Sequence, residues 1–139
     1  MMRKKTDWNI ALFAFIDEVR SKPFKWGEWD CCVFSNAAIK VMTGKDLIPK
    51  DAVWDDKKTA IKTIRNYGSS IHEAVENIAK ASGLVSIPTS FISAGDLAIF
   101  KNSGRNIAGI CDGYSLLAPS VDGIECCNNE LAVRAWRIV

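Results

Sequence analysis

Trp26-Gly27-Glu28-Trp29-Asp30-Cys31-Cys32 is the stretch on which the reading of this chain turns. Aspartate caps helices because its short carboxylate reaches the unpaired N–H groups of the first turn. Val33, Phe34, Ala37, Ala38 and Val41 then recur at helical spacing, and Gly44 is a natural stop. Segment 24–45 therefore reads as a turn followed by a capped helix with Cys31 at its first position. A free thiol has a pKa near ~8.5 and is mostly protonated at neutral pH. The positive end of a helix favours the thiolate, which is the form that attacks. The same free amides can hold an oxyanion. Cys32 is turned by ~100° around the helix and cannot share that role. Taken alone, the pair also fits the commoner arrangement of a plain cap and a small buried side chain.

Working outward, the first half reads as helices. Thr6 is a candidate cap for a helix through about Arg20, with Trp8, Leu12, Phe15, Ile16 and Val19 on one face and Pro23 beyond its end. A third helix is expected from about Asp55 to Tyr67. A fourth opens at the capping box Ser70-Ile71-His72-Glu73 and ends at Gly83. After Gly83 the pattern shortens to strands: 84–87, 96–100, 106–111, 114–118, 123–127 and 132–139. Asp112-Gly113 is a hairpin turn signal. Helices followed by an antiparallel meander of about five or six strands make the class α+β. Phe100, Tyr114 and Trp136 are expected in the sheet core.

The chain has 139 residues with 48% hydrophobic content, which fits one domain with its own core over 1–139. The net charge of +2 is too small to imply nucleic acid, and the basic excess of the first half is scattered. None of the five cysteines shows the C-x-x-C spacing of a zinc site, so no metal and no cofactor are expected. No apolar run approaches a membrane span, and Ile10 to Ile16 is too short and too acidic in its sequel for a secretory signal. We expect synthesis in a reducing cytoplasm with free thiols.

Trp26-Gly27-x-x-Asp30-Cys31 and its helix resemble the nucleophile segment of the NlpC-type cell-wall peptidases, a papain-like group. Ala94-Gly95-Asp96-Leu97-Ala98-Ile99-Phe100 resembles that group's Gly-Asp-Leu strand. Ile107-Ala108-Gly109-Ile110, Asp112-Gly113 and Leu116-Leu117-Ala118 are similar to its next hairpin, and Ala135-Trp136-Arg137-Ile138 to its last strand. The ordered set covers about 24–139. The helical insert 55–83 resembles a branch of the group found among phage tail genes.

The resemblance implies a papain-like α+β fold, with N-terminal helix 1–23, the cysteine helix segment 24–45, the insert 55–83 and the sheet 84–139. It places the nucleophile at Cys31, behind the cap Asp30. The family's general base falls on Ile107 and its orienting residue on Leu117, both apolar. Asn106 is one position from the base, and strand alternation would turn it from the thiol. His72, the only histidine, reads as a solvent-facing first-turn residue, and Asp96 as a strand-start residue. Trp26, Gly27, Trp29 and Asn106 are candidate cleft residues.

The expected function is a phage tail-associated protein at the tail tip, structural or docking in role, with a catalytically degenerate peptidase fold. Its partners would be other tail proteins, hub or tail-tip components, with peptidoglycan as a further candidate and no nucleic acid. It would be made in the host cytoplasm and incorporated into the virion tail. The alternatives are an active peptidoglycan endopeptidase or amidase that uses Cys31 to aid DNA entry, and a cytoplasmic tail-assembly factor.

Overall fold

The structure, a computed structural model, describes residues 2–139. Four helices come first: α1 (Trp8–Val19), α2 (Cys31–Thr43), α3 (Lys57–Arg65) and α4 (Ile71–Ala81). Six strands follow: β1 (Val85–Ile87), β2 (Leu97–Asn102), β3 (Arg105–Cys111), β4 (Leu116–Ser120), β5 (Gly123–Cys127) and β6 (Ala132–Arg137). The protein is α+β, as the sequence predicts.

Local chemistry sets most helix ends. Asp30 takes extended backbone and accepts from Cys32 N–H and Val33 N–H, while Gly44 adopts φ +82° and closes α2 with its N–H on the Lys40 carbonyl. Asp56 and Thr59 form a reciprocal capping box on α3. Ser70 caps α4 through the Glu73 N–H, but the Glu73 carboxylate returns to the Ser69 N–H at 3.2 Å, one residue before the cap. Helix α1 starts at Trp8, with Asp7 rather than Thr6 in the cap position and no side-chain cap bond. That helix is held by its buried face, Leu12 and Ile16, which packs in the core beside α2.

The antiparallel sheet has the order β1-β6-β2-β3-β4-β5. Strands β2 to β5 form the expected run of hairpins. The last strand departs from a meander: β6 enters between β1 and β2, pairing Trp136 with both Ser86 and Leu97. The reason is burial. Trp136 and Ile138 lie in the layer under the helices, and an edge position beside β5 would leave them there without that cover.

Side-chain alternation divides the core. Leu97, Ile99, Ala108, Ile110, Leu117 and Trp136 meet Phe34, Ala38, Ile39 and Met42 of α2. Ala98, Phe100, Cys111, Leu116 and Ala118 form a second cluster, with Ile107 packed against it. Asp96, 0% exposed just before β2, accepts from the Arg137 guanidinium at 3.0 and 2.9 Å and from the Ser93 N–H at 2.8 Å. A charge so deeply placed is stable only when paired and hydrogen-bonded. Tyr114 does not join the core. It is 87% exposed at the tip of the 112–115 turn, where Asp112 Oδ1 accepts its N–H at 2.8 Å, the usual Asx-turn geometry.

Helix α4 is fastened to the sheet by Glu76. Its carboxylate accepts from Arg134 Nε and Nη2 at 3.1 and 2.7 Å and from Trp136 Nε1 at 3.1 Å. Helix α3 packs chiefly on α4, and α4 carries the main contact of the insert with the sheet, at β3.

Candidate functional site

Cys31 is the first residue of α2 and lies beside the upstream half of β3. Strand β4 pairs with β3 only at Ile110 and Cys111, so the earlier part of that edge is open toward the helix. The Ala108 backbone amide lies beside Cys31 there and favours its thiolate form. Cys32 Sγ lies 4.0 Å from Cys31 Sγ. The Cys32 thiol, as donor, is the largest influence holding the Cys31 pKa below that of an ordinary thiol. Burial opposes it, the Ala108 N–H adds to it, and the Asp30 carboxylate opposes it. Cys32 moves the other way: its bond to Cys31, together with burial, pushes it well up. One vicinal thiol is thus prepared to ionise and the other to stay protonated.

Asp30 is buried and fully committed. Oδ1 accepts from Cys32 N–H at 3.1 Å and Val33 N–H at 2.9 Å. Oδ2 accepts from Gly27 N–H at 2.9 Å and Trp54 Nε1 at 2.6 Å. These bonds correct one sequence expectation. Two first-turn amides expected to face an oxyanion are occupied by the cap, and the Cys31 N–H is the one that Asp30 does not take. Gly27 serves the same construction. Its φ is +76°, and a Cβ there would strike the carbonyl oxygen of Trp54, so the tight approach of the 50–55 connector requires glycine.

A predominantly apolar cavity of about 410 Å³ opens from Cys31 beneath the insert. Trp26, Asn106 and Ile107 border it together with both thiols. Asn106 and Ile107 both border it, and alternation puts Asn106 on the same face of β3 as Ala108 and Ile110, the α2 side, so the expectation that it turns from the thiol is corrected. Asn106 Oδ1 is buried and has no hydrogen-bond partner. Trp29 is not a wall of the cleft. It is 5% exposed and packs edge-on against Phe34 with ring centroids 5.7 Å apart. Gly27 supports the site from behind rather than lining it. Leu117 is buried in the helix-side core, paired with Ile110.

Among the described residues, no histidine borders this cavity. His72 lies in a separate depression with Glu73, Glu76 and Arg134. No three His, Cys, Asp or Glu side chains of the described residues gather as a metal set would. All five cysteines are free. No described helix is long and apolar enough to cross a membrane.

Residues 3–138 match a family described as a domain of unknown function, DUF6950. The chain belongs to this family. A comparison with curated proteins finds no match. Among solved structures, this DUF6950 chain is similar to the crystal structure of the NlpC/p60 domain of the peptidoglycan hydrolase SagA. The TM-score is 0.58 at 16% identity, covering 94% of this chain and 98% of that one. At that identity the likeness is one of fold: this DUF6950 chain has the NlpC-type architecture that its ordered motifs imply.

Sequence reasoning missed three parts of the site. Trp54 belongs to no motif of the sequence, yet its indole locks the cap of the cysteine helix. Ala108 favours the Cys31 thiolate through its backbone amide, which no side-chain motif records. The insert helices turn their apolar sides toward the cavity, and the amphipathic spacing of Ala60, Ile61 and Ile64 was the available signal.

Proposed function

We propose that this chain is a phage tail-associated protein, placed at the tail tip, that keeps a peptidase fold as a structural or docking module and does not hydrolyse the cell wall efficiently. The observation carrying the loss of hydrolysis is the set of groups around Cys31. Amide hydrolysis needs a base to move a proton and an acid to protonate the leaving amine, assistance typically worth ~10²–10⁴ in rate. Asp30, the carboxylate beside the thiol, spends both oxygens on four N–H donors, and the imidazole lies elsewhere. The tail association is supported by the sequence resemblance of the insert-bearing chain to a branch found among tail genes. Under this reading the protein is made in the host cytoplasm, enters the virion tail and contacts other tail proteins there.

A second reading, an active endopeptidase or amidase that aids DNA entry, is favoured by the lowered Cys31 pKa. Two measurements separate the readings. Purified peptidoglycan is incubated with the protein and with Cys31→Ala, and turbidity is followed. The proposal expects no clearing by either; clearing lost in Cys31→Ala establishes the enzyme. Mass spectrometry of purified virions of the encoding phage is expected to find the chain. Its absence from the particles makes it a cytoplasmic assembly factor instead.

A further inference from the structure

The cavity at Cys31 has a mostly apolar lining. Its volume of about 410 Å³ falls within the ~300–1,000 Å³ of small-molecule sites. Ala60 and Ile64 of α3 and Ile71, Val75 and Ile78 of α4 face into it. Amphipathic helices ordinarily bury that side against other apolar atoms. Here Ile71, Val75 and Ile78 pack on the core and also border the open cavity. Polar groups also line it, among them Cys31 Sγ and Asn106 with its buried, unpartnered Oδ1, and the Asp30 cap leaves the Cys31 N–H over. A half-turn of the Asn106 amide sets its Nδ2 in that place as a donor.

We propose that Cys31 is an acyl acceptor that takes a fatty acyl group from an acyl thioester, with the alkyl chain lodged under α3 and α4. The Cys31 thiolate adds to the carbonyl carbon, forming a new C–S bond and shifting the electron pair to oxygen. The C=O re-forms as the old C–S bond breaks. The leaving sulfur departs as a thiolate and takes up from solvent the proton that Cys31 gave up. One thioester replaces another, and nothing is oxidised or reduced.

This reaction suits the site where amide hydrolysis does not. A thiol leaving group ionises near ~8.5 and departs without a general acid. The missing base then has a second effect: no group activates water against the acyl-Cys31, so the product persists. The inference rests on the base-free reading only for that persistence. The transfer itself rests on the cavity and the thiol.

The test uses the full chain with decanoyl- and acetyl-coenzyme A, read by intact-mass and peptide mass spectrometry. One decanoyl group per chain is expected on Cys31, removable by hydroxylamine and missing in Cys31→Ser. Decanoyl transfer should exceed acetyl transfer by roughly tenfold or more, since the longer chain buries more methylenes. Ile64→Trp and Val75→Phe should each slow decanoyl transfer by about fivefold or more relative to acetyl transfer, with the thermal midpoint and circular dichroism of each variant showing that it is folded. No acylation, acylation elsewhere than Cys31, or equal rates for the two donors overturns the proposal and leaves the cell-wall result standing. Release of decanoic acid beyond one equivalent overturns the persistence of the acyl group, and with it the base-free reading.

Discussion

Trp54 Nε1 donates to Asp30 Oδ2 at 2.6 Å, across 24 positions of sequence. The bond ties the connector before the insert to the carboxylate that caps the cysteine helix. Removing the carboxylate in Asp30→Ala takes away the cap and strands a buried indole N–H and the Gly27 N–H. A lost cap costs about 1 kcal/mol and stranded partners of a charged group add about 1–3 kcal/mol. We expect a total loss of roughly 2–4 kcal/mol in urea unfolding. Trp54→Phe should lose less, and the double variant should fall short of the sum of the single losses.

The Cys31 thiol should titrate below the ordinary thiol range. Its alkylation by iodoacetamide is expected to rise with pH and reach half its plateau below that range, because the thiolate is the reacting form. Cys32→Ala removes the largest lowering influence and should move the midpoint up. Cys32→Ser keeps a donor and should hold it down. Alkylation rates at Cys31, followed by peptide mass spectrometry across pH, check the order of the three proteins. Identical midpoints would show that Cys32 does not act on Cys31.

Gly27→Ala forces a side chain into a left-handed backbone position and against the Trp54 carbonyl. Such strain with overpacking costs roughly 2–4 kcal/mol. The connector must retreat, so alkylation of Cys31 should quicken as the thermal midpoint falls. A variant that loses stability without any change at Cys31 would separate the connector from the site.

Asp96 and Arg137 form the most deeply placed ion pair. Arg137→Ala leaves the buried carboxylate with only the Ser93 contacts. Breaking one partner of such a pair costs about 3–5 kcal/mol; the part-exposed guanidinium places the expected loss near the lower end. Arg137→Lys keeps the charge without the bidentate geometry and should recover only part of the loss. Chemical denaturation of the three proteins measures the difference.

What the sequence shows and hides follows the range of the interactions. Asp30, Gly44 and Ser70 act within four residues, and their helices start and stop where those residues predict. Strand existence was legible for the same reason. The place of β6 was not, because a central and an edge strand differ in partners, not in their own alternation. Trp29 and Trp26 look alike in sequence, yet Phe15 and Phe34 draw the first into the core and the second borders the cavity. Tyr114 was misplaced because its aromatic character was weighed above the Asp112-Gly113 turn beside it. At the site, Cys31 was readable from its helix position. The face of Asn106 was not, since it depends on which alternate residues of β3 pack against α2, and these are Ala108 and Ile110.

The early parting of β4 from β3 leaves the edge before Ile110 without a strand partner on that side, with the Ala108 amide beside Cys31. The Ala108 amide is therefore a spectator close to the thiol. Its proton resonance and its deuterium uptake should change whenever the sulfur is ionised, alkylated or acylated. One backbone signal, far from any exposed surface chemistry, would then give a continuous readout of the occupancy of the cavity.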